Sequence, residues 1–370
     1  MKRVLSLIIV FVLLCFPIRT NAVSVSAKAA VVINGDNGEI IFEKNAHTKL
    51  SMASTTKIMT GLLLCEYGNL EREITVTKEM VQVEGSSMGL LPGDKVTLHD
   101  LLYGLLLASG NDAANVIATV IGGTVDGFAK LMNERAGQMG LKNTSFVTPS
   151  GLDDENHYTT AYELALIAKE AMQNEEFAKA VSSKSAVLYY GNPPYRRRLT
   201  NHNKLLNYDN SFIGVKTGFT KKSGRCLVSA RKEDGKYVIC VTLCAPDDWN
   251  DHKALSSFAF SELKQVTFKP EREIEEIEVI GANEPLRVNL GSFFVNTTSN
   301  DAIEFKVNLP KFLYAPIKKG EEIGEIECIQ NGKVCFNKKI TAQNDISADE
   351  KQNSKINKFL ISARMIISEF

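Results

Sequence analysis

The spacing of apolar residues changes along this chain, and these changes restrict its fold more than any other feature. Two short strands, Ala29–Ile33 and Glu39–Glu43, are separated by the turn sequence Asn34–Gly38. From about Ser54 apolar residues recur at helical spacing, and strand-like runs return at Phe212. An antiparallel sheet built from both ends of this segment, with helices packed on it, satisfies that order. The expected helices are Ile58–Glu66, Leu101–Ala108, Asn115–Ile121 and Ala161–Met172, and the returning strands are Phe212–Thr217, Cys226–Ala230 and Tyr237–Cys244.

A further change follows Leu263, where helical spacing stops and short runs separated by turns begin. We therefore expect an α+β protein with a main domain over residues 23–265 and a small all-β domain over residues 266–341. No nucleophile, base and acid converge in the second segment, so a spacing or partner-docking role is expected for it. Its expected strands are Ile274–Ile280, Leu286–Leu290, Ile303–Val307, Glu325–Ile329 and Lys333–Phe336.

The C-terminal residues 355–370 follow a polar segment, residues 342–354, that is typical of a linker. A helix over this tail has an apolar stripe, which favours attachment to a membrane surface. Packing of the same stripe against the chain's own β-domain is the alternative. The tail contains Arg364 and Glu369, and it is too short and too charged to span a bilayer. The stripe consists of Ile356, Phe359, Leu360, Ala363, Ile367 and Phe370.

Residues 1–22 have the order of a secretory signal peptide: a basic start, the apolar run Val4–Phe16, and small residues ending at Ala22. We expect cleavage after Ala22 and export to the outer face of the cytoplasmic membrane and the cell wall. A buried N-terminal helix is the alternative, and the order of these three features favours the signal peptide.

Charge and cysteine usage exclude several classes of function. Basic and acidic residues both number 43, and no basic run is interleaved with aromatic residues, so a nucleic-acid partner is not expected. The cysteines lack the paired short spacings of a zinc site, and buried thiols explain them. The acidic segment Asp247–His252 is more typical of a solvated loop than of a metal site. We expect neither a metal nor another cofactor.

Ser54 and Lys57 begin the first expected helix, with Ile58 and Met59 starting its apolar pattern. Residues three apart share a helix face, so the two side chains can meet. A serine hydroxyl needs a neighbouring base to become a nucleophile, and a lysine can be that base only when burial and a positive neighbour lower its pKa. An N-cap serine beside a solvated lysine gives the same pattern, so this pair alone decides nothing.

Two further groups of residues follow in chain order. Ser109 and Asn111 lie on a loop between two expected helices, and Lys216, Thr217 and Gly218 end a strand-like run. This three-part set occurs in penicillin-binding proteins and class A β-lactamases. Lys216 also supplies the positive charge that a neutral Lys57 requires.

With these motifs the chain resembles the low-molecular-mass penicillin-binding proteins, specifically the D-alanyl-D-alanine carboxypeptidases of serine peptidase family S11. The resemblance covers about Ala29–Lys264, and more weakly the β-domain and tail. It implies a penicillin-binding/β-lactamase-like fold for the main domain. Further segments that resemble the family are Gly85–Met88, Leu91–Asp94, Gly151–Leu152, His157–Ala161 and Asn201–Leu206.

The resemblance implies a role for each motif residue. Ser54 is acylated, Lys57 takes its proton, and Ser109 and Lys216 relay protons when the leaving group departs and the acyl group is released. Asn111 holds the substrate amide.

The strand that follows Lys216 also has implied roles. Thr217 and Gly218 line the edge along which the peptide lies as an added strand. The backbone N–H groups of Ser54 and Phe219 form the oxyanion hole.

Two departures from family members limit this transfer. Phe219 stands where some relatives have histidine, and only its backbone role carries over. The segment Asp247–His252 lacks an arginine that some relatives use for the substrate carboxylate, so Arg198 is the weaker candidate for that role.

The implied reaction removes the terminal D-alanine from peptidoglycan stem peptides, with β-lactam antibiotics as covalent inhibitors. A β-lactamase would need a deacylating glutamate in a Glu-x-x-Leu-Asn segment, which this chain lacks. A sensor that only binds wall peptides would be expected to have a broken motif set. Endopeptidase and transpeptidase activities use the same acyl-enzyme, and the sequence leaves them open as alternatives.

Overall fold

A computed structural model of the protein describes residues 23–349. The expected signal peptide, residues 1–22, and the expected amphipathic tail, residues 355–370, lie outside the described residues. Among the helices of the described part, none combines the length and the apolar character that crossing a bilayer requires.

A five-stranded antiparallel sheet forms the centre of the first domain, with strand order β2-β1-β9-β8-β7. Strand β1 pairs with β2 on one side and with β9, which follows it by some two hundred residues, on the other. The sequence predicted such a sheet, built from both ends of the segment. The strands are β1 (Ala29–Asn34), β2 (Ile40–Lys44), β7 (Phe212–Thr220), β8 (Gly224–Glu233) and β9 (Lys236–Leu243).

Strand β1 is buried on both faces because helices cover both sides of the sheet. Successive side chains of a strand point to opposite faces. Val31 and Ile33 accordingly join the large core, while Ala30 and Val32 join a smaller core against the last helix of the domain. The helices are α1 (Lys57–Tyr67), α2 (Lys78–Val81), α3 (Leu98–Leu106), α4 (Asn111–Gly122), α5 (Val125–Gln138), α6 (Ala161–Ala171), α7 (Glu175–Ser182), α8 (Leu205–Tyr208) and α9 (Asp248–Glu262).

Local sequence explains where several of these helices begin. Thr97 and Asp100 form a reciprocal capping box at the start of α3, which begins three residues earlier than its apolar pattern indicated. A short 3₁₀ turn, Ala53–Thr56, leads directly into α1. Gly110 precedes α4, so that this helix begins at Asn111.

A four-stranded antiparallel sheet, with strand order β3-β4-β5-β6, was not predicted. Its longest pairing is a hairpin in which Tyr189 lies opposite Arg196, and Val187 lies opposite Arg198. A strand is identified in a sequence by alternating apolar and polar residues. The hairpin has runs of tyrosine and arginine instead, and the sequence therefore did not predict it. The strands are β3 (Glu73–Thr75), β4 (Lys95–Thr97), β5 (Ser185–Gly191) and β6 (Pro194–Thr200).

The C-terminal segment forms the expected β-domain, whose strands make one two-stranded and two three-stranded sheets. All five predicted strands are present, and additional strands join them. The strands are β10 (Lys264–Phe268), β11 (Ile274–Ile280), β12 (Leu286–Asn289), β13 (Phe293–Thr297), β14 (Glu304–Asn308), β15 (Phe312–Tyr314), β16 (Glu322–Gln330) and β17 (Lys333–Thr341).

The described part of the expected linker, residues 342–349, lies against the β-domain. Ala342 is part of that domain's core, Ile346 packs on it, and Ile346 bridges Ile317. The apolar side chains Ala342 and Ile346 explain this attachment, since burying them stabilises the packed arrangement. Toward the first domain, Phe294 packs over Gly235, and the Asn34 side-chain amide donates to the Asn296 carbonyl at 2.8 Å.

Candidate active site

Ser54 and Lys57 meet at the start of α1. The Lys57 Nζ lies 3.0 Å from the Ser54 Oγ, within hydrogen-bonding distance. It also donates to the Asn111 Oδ1 at 2.7 Å and to the Ser150 carbonyl at 2.7 Å. A neutral amine has two N–H donors and one lone pair. Because the two carbonyl oxygens accept the two N–H groups, the lone pair is left for the Ser54 hydroxyl.

The electrostatic surroundings of Lys57 favour that neutral form. Burial lowers the pKa of the Lys57 ammonium well below its ordinary value, the positive charge of Lys216 lowers it further, and Asp112 opposes the shift. The Lys57 side chain has no solvent exposure. A buried amine in this state can accept a proton near neutral pH.

Asn111 fixes the position of Lys57 at the start of α4. Its Oδ1 accepts from Lys57, and its Nδ2 donates to the Glu84 carbonyl at 2.6 Å. Both ends of the side-chain amide are thus engaged within the protein. Ser109, two residues earlier, is buried and has a left-handed backbone conformation with φ of 57°.

The turn before Ser54 also has a disfavoured backbone conformation, and hydrogen bonds of Thr56 and His157 hold it in place. Ala53 has a φ of 49°, although an alanine disfavours this region. The Thr56 hydroxyl donates to the Ala53 carbonyl at 2.8 Å, and the Thr56 oxygen lies 2.7 Å from the His157 Nε2. The Val147 N–H donates to the other His157 ring nitrogen, so Nε2 carries the hydrogen and donates to Thr56. Burial lowers the pKa of His157 to about 4, which keeps the ring neutral.

Strand β7 forms the opposite wall of the cleft. Lys216 is buried, and its Nζ donates to the Thr217 carbonyl at 2.9 Å. Burial lowers the pKa of Lys216 to about 7. Thr217 and Gly218 line the cleft, and the Phe219 side chain is 65% exposed at its rim.

Gly218 lets the strand approach the backbone of Ser54 closely. A Cβ at this position would lie 2.9 Å from the Ser54 nitrogen, 3.0 Å from the Thr55 nitrogen and 3.1 Å from the Met52 oxygen. These distances are too short for a methyl group without displacement of the backbone. The residue type at position 218 therefore sets the width of the cleft beside Ser54.

Ser54, Ser109, Thr217, Gly218 and Phe219 line one cleft with a volume of about 350 Å³. The buried Lys57 amine contacts the Ser54 hydroxyl, and the buried Lys216 amine contacts the Thr217 carbonyl. The structure thus brings together residues from the three sequence motifs. The other lining residues are Ser86, His202, Lys204, Arg225, Asp248 and Trp249.

Arg198 lies elsewhere. It is exposed on β6 and donates to the Ser185 hydroxyl at 3.3 Å, and it is not among the residues that line the cleft. The expectation that it holds the substrate carboxylate is not supported by this placement, because β6 belongs to the second sheet of the domain.

Arg225 is the arginine that does line the cleft, and the sequence analysis missed it. It follows Gly224 on β8, and its guanidinium donates to the Asp248 carboxylate at 2.8 and 3.0 Å. Its neighbour in the cleft, His202, has its pKa lowered by partial burial and by Lys216. The only sequence signal for His202 was its place in a segment that resembles the family, and no local pattern indicates Arg225.

The acidic segment suggested as a loop is the start of α9 and has structural partners. Asp251 accepts from Ser26 and Ala27 near the start of the described chain. The His252 ring nitrogens lie 2.6 Å from the Ser229 hydroxyl and 2.9 Å from the Thr242 hydroxyl, and burial lowers its pKa to about 3. Within residues 23–349 no group of three or more potential metal ligands converges.

Comparisons with known proteins identify similar families and relatives. A family model described as D-alanyl-D-alanine carboxypeptidase matches residues 17–247, and one described as the C-terminal domain of penicillin-binding protein 5 matches residues 275–348. The D-alanyl-D-alanine carboxypeptidase DacF of Bacillus subtilis is 31% identical over 346 residues, which cover 89% of this chain and 88% of the relative. DacC of Escherichia coli is 31% identical over 335 residues, covering 84% and 82%.

Solved structures give the same result. Penicillin-binding protein 5 from Haemophilus influenzae matches with a TM-score of 0.65 at 26% identity, covering 88% of this chain and 99% of that chain. The Streptomyces K15 DD-transpeptidase matches with a TM-score of 0.62 at 32% identity, covering 65% of this chain and 98% of that chain.

The fold and the family define a serine peptidase of the penicillin-binding class, and in this chain a buried lysine amine lies within hydrogen-bonding distance of the Ser54 hydroxyl. The chain belongs to the D-alanyl-D-alanine carboxypeptidase family, peptidase family S11, and it has the C-terminal domain of the penicillin-binding protein 5 type. Members of this family act on the peptidoglycan of the cell wall, outside the cytoplasm.

Proposed function

We propose that this chain removes the terminal D-alanine from peptidoglycan pentapeptide stems through an acyl-enzyme on Ser54. One observation carries the proposal. The Lys57 amine is buried, held by two acceptors, and 3.0 Å from the Ser54 hydroxyl. A general base needs this geometry and a pKa near the working pH.

In the acylation step the Ser54 Oγ attacks the carbonyl carbon of the last peptide bond, and the Lys57 lone pair takes the hydroxyl proton. The N–H groups of Ser54 and Phe219 stabilise the oxyanion, and the close approach of Gly218 to the Ser54 nitrogen supports that role. The C–N bond then breaks, and D-alanine leaves after its nitrogen receives the proton taken by Lys57, relayed by Ser109 and Lys216.

In the second step a water molecule attacks the ester. The water's proton passes to Lys57, and Ser54 regains a proton as the tetrapeptide leaves. Thr217 and Gly218 hold the peptide along β7. Arg225 is the cleft arginine suited to the terminal carboxylate, since an arginine can bind a carboxylate while it remains paired with Asp248.

The decisive experiment uses two reagents on the purified protein. Benzylpenicillin is expected to form a covalent adduct that peptide mapping locates on Ser54, and Ser54→Ala is expected to abolish it. A pentapeptide stem is expected to yield free D-alanine and tetrapeptide. An adduct on another residue would show that the nucleophile is misassigned. Cleavage of cross-linked dimers without release of D-alanine would replace the carboxypeptidase by an endopeptidase.

We further propose that residues 1–22 direct export and that the amphipathic tail attaches the protein to the membrane surface. The apolar stripe of residues 355–370, after a polar segment, supports this attachment. Deletion of Lys355–Phe370 is expected to release the protein from the membrane fraction while it still hydrolyses a small soluble peptide. Retention of the shortened protein on membranes would contradict the tail's role.

A further inference from the structure

The β-domain exposes an aromatic pair on strand β15. Phe312 is 46% exposed and Tyr314 is 67% exposed, and their ring centroids are 5.7 Å apart in an edge-to-face contact. Successive side chains of a strand alternate, so Leu313 between them packs on the domain core while both rings point outward. Large aromatic side chains exposed side by side favour a partner surface.

This aromatic pair lies where the described chain ends. Strand β15 is the outer strand of its sheet and pairs in parallel with β11, so that Tyr314 lies opposite Ile280. Gly281, the residue that follows β11, accepts a hydrogen bond of 2.7 Å from the Asp349 N–H. The last described residue, Asp349, therefore lies near the end of the strand that carries the Phe312–Tyr314 pair.

The chain's reach then restricts where the tail begins. The six residue steps from Asp349 to Lys355 span at most about 22 Å. If the apolar stripe of the tail lies in a membrane surface, this edge of the β-domain must lie close to that surface. The β-domain contacts the catalytic domain through β13, which belongs to a different sheet from β15. The edge that carries Phe312 and Tyr314 therefore lies outside that contact.

The tail itself is a less suitable cover for the two rings. A helix over its 16 residues would be about 24 Å long. Two rings 5.7 Å apart cannot bury an apolar stripe of that length. A membrane interface can accommodate both the two rings and the tail helix. Aromatic side chains are enriched at the lipid headgroup level, and the apolar face of a helix inserts there.

Charges of both signs lie near this edge. The exposed lysines Lys311, Lys318 and Lys319 lie near it, and the carboxylates of Glu321 and Asp345 accept from the backbone N–H groups of Lys318 and Lys319. Ring insertion, with a weak dependence on salt, is therefore expected to dominate over attraction to anionic lipids.

We propose that Phe312 and Tyr314 insert into the lipid interface as a second membrane contact beside the tail. This inference rests on the membrane attachment proposed above for residues 355–370. It assigns the β-domain a docking edge that sets the orientation of the catalytic domain above the membrane.

The first test compares variants of the chain from Val23 to Phe370. The double variant Phe312→Ser with Tyr314→Ser is expected to bind vesicles of phosphatidylethanolamine and phosphatidylglycerol at least about tenfold more weakly in sedimentation. The matched control replaces Val187 and Tyr189, an exposed pair on β5, by serine and is expected to change binding less than twofold. Equal binding of the double variant and the unaltered chain would overturn the inference. Release of D-alanine from a soluble pentapeptide is measured in the same samples and reports the proposed function separately.

A second test locates the rings directly. In Tyr314→Trp, vesicles that contain brominated lipid are expected to quench the added fluorescence, after subtraction of the signal of Trp249, the chain's single native tryptophan. Without vesicles, iodide is expected to quench Trp at position 314. Shielding from iodide that disappears when residues 355–370 are deleted would show that the tail covers the rings, and the membrane contact would then be wrong.

Discussion

The two domains differ in whether lysine, histidine and carboxylate side chains are buried or exposed. In the catalytic domain Lys57, Lys216, His157 and His252 are almost fully buried, and burial lowers the pKa of each. In the described part of the β-domain, charged side chains lie at the surface, and the buried polar residues are Asn296 and Thr297. Burying a charge costs free energy, so a protein retains such an arrangement chiefly where chemistry requires it. The contrast locates the chemistry in one domain.

Backbone strain follows the same division. Ala53 and Ser109 hold left-handed conformations beside the nucleophile. In the β-domain, as far as the structure describes it, Asn331 is the non-glycine residue in this region, and asparagine tolerates it in a turn. The strained conformation of Ala53 persists because the Thr56 hydroxyl donates to the Ala53 carbonyl and is itself held by His157.

Replacement of the buried base gives the largest expected effect. Lys57→Met should slow acylation by benzylpenicillin by about 10²–10⁴, the range for a positioned general base. Thermal stability should change little, because removal of a desolvated amine is offset by the loss of its hydrogen bonds to the Asn111 Oδ1 and the Ser150 carbonyl. Time-resolved intact-mass measurement and a melting curve check both. Lys130→Met, at an exposed site on α5, is the control, and undiminished acylation of folded Lys57→Met would exclude Lys57 as the base.

Widening the cleft beside Ser54 should give the second-largest decrease in the acylation rate. Gly218→Ala places a methyl group 2.9 Å from the Ser54 nitrogen, so β7 must move away from the nucleophile. Acylation should slow by about tenfold to a hundredfold, less than the 10²–10³ expected when an oxyanion donor is removed. Gly137→Ala, on a helix with open space around the new methyl, should leave the rate unchanged. Equal rates for the two variants would show that the close contact is not needed.

The pH dependence tests the coupling of the two buried lysines. Acylation needs neutral Lys57, so its rate should fall on the acid side of the Lys57 pKa. Lys216→Met removes a positive neighbour and thereby favours protonated Lys57, so the acid limb should move to higher pH. The second-order acylation constant, measured across pH, gives the midpoint. Lys204→Met also removes a cleft lysine and should not move that midpoint, whereas an unmoved midpoint in Lys216→Met would remove the coupling from the mechanism.

A destabilising substitution in the β-domain should have the smallest effect on the acylation rate. Leu286 is fully buried in its core, and Leu286→Ala should cost about 2–5 kcal/mol of that domain's stability. The acylation rate should stay within about twofold of the unaltered protein. Leu101→Ala makes the same change in the catalytic core, and heating should inactivate that variant at a lower temperature. Active-site titration with labelled penicillin after graded heating compares them. Equal losses of titratable site would show that the domains are not energetically separate.

The sequence by itself determined the main architecture of the protein. The change from helical to alternating spacing predicted the sheet, its helices and the β-domain, because burial of an apolar face fixes the period of each element. The order of Ser54, Ser109 and Lys216 with their neighbours predicted which residues share the cleft. Such motifs are visible because the chemistry needs particular side-chain types at fixed spacing.

Only the tertiary structure decided how that cleft is built and bounded. The carbonyls of Ser150 and Glu84, which hold Lys57 and Asn111, leave no mark in the sequence because every residue has a carbonyl. The hairpin that carries Arg198 lacked an alternating apolar pattern, so neither the hairpin nor its distance from the cleft was predictable. Arg225 enters the cleft because β8 pairs with β7, and such pairing depends on contacts between residues distant in sequence.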